Sequence, residues 1–202
     1  MSFYRTISEN IHIEIEPIKK SRFIAYAFYI ENEQEVFDHI DNIKATYSDA
    51  NHHCWAYALT KDNKFRFNDD GEPSGSAGKP ILSHIQGANL SNVLVIVVRY
   101  FGGTKLGVGG LIRAYGQAAK EVLNIANIID MMPSCYIRII YDYDETAHIE
   151  TVLKHYNAVI LSQEYLDTVM LDVQINDSDK LNFIEEINNI TKGKVRLNFL
   201  SK

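Results

Sequence analysis

At 202 residues, 46% hydrophobic and 11% aromatic, the chain is too apolar to be disordered and is long enough for one ordinary core or two small ones. Its net charge of −6 excludes a uniformly basic nucleic-acid-binding protein, and no apolar run reaches the length of a membrane span. Cys54 and Cys135 lack a CxxC partner, which argues against a disulfide framework or structural zinc, and Met1-Ser2-Phe3-Tyr4-Arg5-Thr6 has no apolar signal segment, so a cytoplasmic protein with reduced thiols is expected.

Ile11, Ile13 and Ile15 alternate with His12, Glu14 and Glu16, which predicts a half-exposed strand closed by Pro17. Lys19, Lys20 and Arg22 form a basic turn ahead of a second strand, Phe23 to Ile30. Asn32 and Glu33 open a helix with Val36, Phe37, Ile40, Ile43 and Tyr47 on one face. From His52 to Thr60 the pattern alternates again, with His53, Trp55, Tyr57 and Leu59 on one face and the smaller set His52, Cys54, Ala56 and Ala58 on the other. His52 and Cys54 pointing the same way is what two metal ligands would do. No third ligand follows at zinc spacing, so packed or hydrogen-bonded roles are expected, with no metal or cofactor assigned.

Phe65 to Asn68 leads into Asp69-Asp70-Gly71-Glu72-Pro73-Ser74-Gly75-Ser76-Ala77-Gly78-Lys79-Pro80-Ile81-Leu82. Asp69, Asp70 and Glu72 could offer oxygen ligands to Mg²⁺, but an EF-hand is excluded because its first and last ligands would be Arg66 and Ala77. The preferred reading pairs these acids with Arg99 or Lys105, fixing the glycine-rich loop. Pro80 suits the first turn of a short helix through Ile85, with Ser76 or Gly78 near its cap. His52, Cys54, Asp69, Asp70, Glu72, Ser74 and Ser76 are therefore the candidate site or loop-organising residues.

Val93 to Val98 is an unbroken, β-branched-rich apolar run, as a strand covered on both faces requires. The glycine-studded loop after it runs into a helix marked by Leu111, Ile112, Tyr115, Ala118, Ala119, Val122, Leu123 and Ala126. The first amides of that helix have no intrahelical acceptor, and Arg99, Lys105 and Arg113 lie nearby in sequence, so an anion should be favoured there. Neither known phosphate motif fits: Leu106 follows Lys105 where a Walker loop needs Ser or Thr, and Ile112 stands where the dinucleotide fingerprint needs its third glycine. The candidate phosphate-binding residues are Lys79, Arg99, Gly102, Gly103, Lys105, Gly107, Gly109, Gly110 and Arg113. The alternative is that the glycines serve only close packing of helix on strand. Between Pro73 and Lys120 there is no Asp or Glu, while Lys79, Arg99, Lys105, Arg113 and Lys120 give +5, so the rest of the chain carries −11.

Ile128 to Pro133 reads as a boundary between residues 1–132 and 133–202. Beyond it the pattern predicts strand Cys135–Tyr143, helix Glu145–Tyr156, strands Ala158–Tyr165 and Thr168–Ile175, helix Ser178–Ile190 and strand Lys194–Phe199. This βαββαβ order is ferredoxin-like, and the fold class is α+β. With 7 basic and 11 acidic residues from Ser134 on and no catalytic cluster, the second domain suits protein binding or orientation better than nucleic-acid binding.

The segments Asp69 to Leu82 and Arg99 to Tyr115 resemble the two signature blocks of the YigZ/IMPACT family, and Lys20-Ser21-Arg22-Phe23-Ile24-Ala25 and His52-His53-Cys54-Trp55-Ala56-Tyr57 look like its weaker upstream blocks. Ser76 stands where that family often has Thr. The resemblance implies an N-terminal domain similar to a small-subunit ribosomal protein and to the fourth domain of elongation factor G, and a second domain similar to that factor's fifth. Eukaryotic relatives dampen a starvation-responsive kinase through its activator and carry an additional RWD module; that activity is not carried over. The leading expectation is a non-enzymatic, translation-related module that binds RNA or the ribosome through phosphate groups, with no catalytic residue and no membrane partner assigned. The alternatives are a metal-assisted enzyme on a phosphorylated small molecule and a protein-interaction regulator acting through the C-terminal domain.

Overall fold

The structure, a computed structural model, describes residues 3–60 and 63–200. The first two residues of the N-terminal stretch read above lie outside them. The described residues divide into two compact units, one over Tyr4–Met131 and the other comprising Phe3 and the chain from Met132 onward.

The first unit is built on an antiparallel five-stranded sheet of β2 (Ile11–Ile18), β3 (Ser21–Tyr29), β4 (His52–Leu59), β5 (Lys64–Asn68) and β6 (Val93–Tyr100), in the order β2-β3-β6-β4-β5. The continuous apolar run places β6 at the centre. Val93, Val95 and Val97 pack under α2 (Gly78–Gly87) and α3 (Val108–Ile125), whereas Leu94, Ile96 and Val98 pack under α1 (Glu33–Thr46) on the other face. The split of β4 follows its alternation: Cys54 and Ala56 lie in the α2/α3 core, Trp55, Tyr57 and Leu59 in the α1 core. Small side chains on the first face let α2 lie close to β4. Asn32 caps α1 by accepting from the Glu35 amide at 3.0 Å, and the Glu35 carboxylate accepts from the Glu31 amide at 2.8 Å.

One expectation needs correction, and one further strand has no counterpart in the sequence pattern. Pro17 does not end its strand: β2 runs to Ile18 with a register shift between Ile15 and Ile18, tolerated because β2 is a sheet edge where a missing N–H breaks no ladder bond. The segment read as a boundary contains a strand, β7 (Ile128–Met131), which pairs antiparallel with β1 (Tyr4–Ile7). Four residues are too few to display a period, and their pairing partner lies at the far end of the unit's sequence.

The second unit has the predicted βαββαβ order: β8 (Ser134–Tyr141), α4 (Thr146–His155), β9 (Val159–Tyr165), β10 (Val169–Asn176), α5 (Lys180–Ile190) and β11 (Arg196–Leu200). Its antiparallel sheet runs β11-β8-β10-β9, and Ile137, Ile139, Ile149, Val152, Leu171, Val173, Phe183 and Ile187 form a core of its own. Both units mix helices with antiparallel sheet, an α+β fold. No helix among the described residues is long and apolar enough to cross a membrane.

Candidate functional site

Arg99 decides the geometry of the signature blocks. It continues the parity of Val93, Val95 and Val97, so it emerges on the α2/α3 face, between Phe23 of β3 and His52 of β4. A guanidinium there needs a carboxylate, and the turn at Asp69–Glu72 supplies it: Arg99 Nη1 donates to Glu72 Oε1 at 2.5 Å, with the side chains only 6% and 5% exposed. Arg99 Nη2 donates to Ser21 Oγ at 3.3 Å, and the guanidinium stacks over Phe23 and Phe101, each 5.6 Å from the ring centre. The Tyr115 hydroxyl, from α3, donates to the same Glu72 oxygen at 2.8 Å. The reading of Arg99 as an open phosphate ligand is therefore corrected: its charge is neutralised inside the fold.

The three acids have three separate tasks and do not gather as an Mg²⁺ site would. The N-cap of α2 is Ala77, flanked by Ser76 and Gly78 as expected, but it has no side-chain cap of its own: Asp69 Oδ1 accepts from the Ala77 and Gly78 amides at 2.9 and 2.8 Å and its Oδ2 from Gly75 at 2.8 Å, so Asp69 supplies the capping acceptor. Ser76 Oγ is buried with no hydrogen-bond partner among the described residues. Asp70 accepts from the His53 amide at 2.6 Å and lies 3.7 Å from Lys44. Glu72 holds Arg99. Among the described residues no group of three or more His, Cys, Asp or Glu side chains could hold a metal ion.

His52 and Cys54 do share a face, but both are tied to the acidic turn. His52 Nδ1 is 2.8 Å from the Asp70 carbonyl, which fixes that nitrogen as the donor, and the Cys54 thiol donates to the Asp69 carbonyl at 3.0 Å. Burial pushes the Cys54 thiol well above its ordinary range and the Tyr115 phenol likewise, so both stay protonated. His52 Nε2 faces Glu72 Oε1 at 3.8 Å.

The glycine-rich loop serves packing in one part and conformation in another. A Cβ on Gly102 would stand 2.0 Å from the Lys20 carbonyl carbon, so this glycine lets the loop lie against the β2–β3 turn, where its amide donates to Ser21 Oγ at 3.2 Å. Gly107, at φ +72°, precedes α3 with no side-chain cap, and the first intrahelical bond comes from Leu111. The Val108, Gly109 and Gly110 amides thus have no acceptor within the helix. Gly103 is also left-handed, at φ +81°, and open, while Gly110 packs on Leu106. Lys79, Lys105 and Arg113 are exposed, and Ser74 is exposed in the turn.

A groove of about 500 Å³ opens here, lined by His52, Glu72, Arg99, Phe101, Lys105 and the first turn of α3 among others. Lys79 and Arg113 do not line it, so the four predicted cations do not converge. Arg22 is spent elsewhere, on Glu14 at 2.8 Å. Sequence reasoning missed Ser21, Asn51, Phe101 and Tyr115 as organisers of this region. The signal for Tyr115 and Phe101 lay within the second signature block. Asn51, whose Oδ1 accepts from the Phe101 amide at 2.7 Å, carried none.

A family model described as the Impact N-terminal domain matches residues 19–123, which contain this whole region. The chain belongs to the IMPACT family. A second model, a domain of unknown function (DUF1949), matches residues 139–194, within the C-terminal unit. IMPACT family member YvyE of Bacillus subtilis is 35% identical over 192 residues, covering 95% of this chain and 88% of its own. IMPACT family member YigZ of Escherichia coli is 31% identical over 186 residues, covering 91% of each. A crystal structure of a hypothetical protein, 28% identical, covers 100% of this IMPACT family chain and 99% of its own at a TM-score of 0.71.

Proposed function

We propose that this IMPACT family member is a non-enzymatic, translation-related protein that binds RNA, free or within the ribosome, through phosphate contacts on the acid-free segment. The observation carrying this reading is a division among the cations of the first unit. Arg22, Lys44, Lys64, Arg66 and Arg99 each have a carboxylate partner, whereas Lys79, Lys105, Arg113 and Lys120 of the acid-free segment, together with Lys19 and Lys20 of the β2–β3 turn on which Gly102 packs, are exposed and have no side-chain ion pair or hydrogen bond among the described residues. Cations left solvated on an otherwise acidic chain favour approach of a polyanion at one place and repel it elsewhere. Lys105 also stands near the unpaired first amides of α3, which add to the attraction for phosphate. The groups that would serve an enzyme are engaged: the Cys54 thiol stays protonated, and Glu72 is held by Arg99 and Tyr115.

If Lys79, Lys105 and Arg113 each neutralise one phosphate, the slope of log affinity for single-stranded RNA against log salt contains about −2 from these three residues. The K79A/K105A/R113A variant is expected to bind more weakly at low salt and to lose that part of the slope. An unchanged slope in filter-binding titrations rules the reading out. Arg99 is left out of this set because its removal tests stability.

A further inference from the structure

The groove at the start of α3 differs from the rest of the basic segment because it is concave and has an aromatic wall. Phe101 is 46% exposed there, and its position is fixed from two sides. Its amide donates to Asn51 Oδ1 at 2.7 Å, and the buried Arg99 guanidinium lies 5.6 Å from its ring. The aromatic face is thus preorganised. Because the Asn51 oxygen is used by that bond, its amide NH₂ is the unspent half of the side chain, and it lies on the groove with His52. Lys105, Gly107 and Val108 line the same groove, and Val108 begins the α3 first turn, whose Val108, Gly109 and Gly110 amides have no intrahelical acceptor. Arg99, nine-tenths buried on the groove wall, keeps an Nε hydrogen with no acceptor among the described residues. A flat ring with a polar edge joined to an anion fits this set of groups: ring on Phe101, edge towards Asn51 and His52, anion at Lys105 and the α3 amides. At about 500 Å³ the groove is within the range that holds small ligands.

We propose that this groove holds one unstacked nucleotide of single-stranded RNA, its base against Phe101 and its phosphate at Lys105 and the first turn of α3. The inference rests on the RNA-binding reading above and adds a claim that surface phosphate contacts alone do not make, a preference for unpaired over duplex RNA.

The test compares the full chain with F101A, F101L and F101Y, using a short single-stranded oligoadenylate and an RNA duplex of equal length. Wild type should prefer the single strand. F101A and F101L should weaken single-strand binding about tenfold, as loss of one stacked base does, with duplex binding unchanged and F101Y close to wild type. F101L keeps the apolar volume and so guards against a folding defect in F101A. In the wild-type protein, adenosine 5′-monophosphate should shift the Phe101 ring and the amides of Val108–Gly110, whereas inorganic phosphate should shift only the amides. If single-strand binding survives F101A and F101L but is lost in K79A/K105A/R113A, the groove proposal falls and the phosphate surface stands. Absence of RNA binding by wild type overturns both, and an unmoved Phe101 ring with the monophosphate overturns the groove alone.

Discussion

Arg99 is the residue on which the site turns, and its energetics follow from burial. Arg99→Ala leaves the Glu72 carboxylate buried with Tyr115 as its remaining close donor, so a stability loss of about 3–5 kcal/mol is expected in urea denaturation. Replacing both partners, Arg99→Met with Glu72→Gln, removes the uncompensated charge and should cost less than Arg99→Ala alone. A double variant as damaged as the single one would show that the pair does not organise the loop. The sequence pointed to a pairing of the acidic turn with Arg99 or Lys105, but it did not show that the pair is buried, nor that Glu72 is the partner of Arg99. The parity Arg99 shares with Val97 on a strand buried on both faces was the available signal, but the partner that makes burial tolerable comes from a turn distant in sequence.

At the level of elements, α2 depends on a cap that precedes it by several residues. Asp69 accepts three amide hydrogen bonds at the start of the helix, while Ser76, beside the helix start, has a buried hydroxyl without a partner. Asp69→Ala is therefore expected to cost about 3 kcal/mol, and Ser76→Ala to be neutral within about 0.5 kcal/mol or slightly stabilising. Thermal melts of the two variants check this; equal losses would return the capping role to Ser76. Local pattern placed α2 and its Pro80 correctly because a first-turn proline needs no donor. It could not identify the cap, since Asp69 reaches the helix only through the tight turn closed by the Glu72 amide on the Asp69 carbonyl at 2.9 Å.

For the whole molecule, acidification should remove stability in two stages. Burial, with a further push from Lys120, holds the His84 imidazole below its ordinary 6.5, and burial holds His39, stacked on Phe28 at 4.1 Å, below it as well. The folded state then binds fewer protons than the unfolded one, so this contribution is complete above 6.5 and declines as the pH falls below it. Glu14, held below 4.5 chiefly by its hydrogen bond to Arg22, and Asp172, held below 3.8 chiefly by Arg138, contribute stability that is present above those values and lost beneath them. The melting temperature of H39Q/H84Q should be flat through the first stage and retain the second. A first stage of wild-type size in that variant would assign it to other groups.

The sequence by itself determined most of the elements, because core-facing residues repeat with the periods of helix and strand and each repeat is local: the buried β6, the two faces of β4 and the βαββαβ unit are all written as short-range patterns. The signature blocks likewise identified the family without reference to coordinates. Tertiary structure alone decided which charges are available. An Arg and a Glu far apart in sequence become a buried pair only when β6, the Asp69–Glu72 turn and α3 close on one another, and that closure neutralises Arg99, leaves Lys105 exposed on the same groove and puts Lys79 and Arg113 off it, although the composition of the segment had grouped all four together.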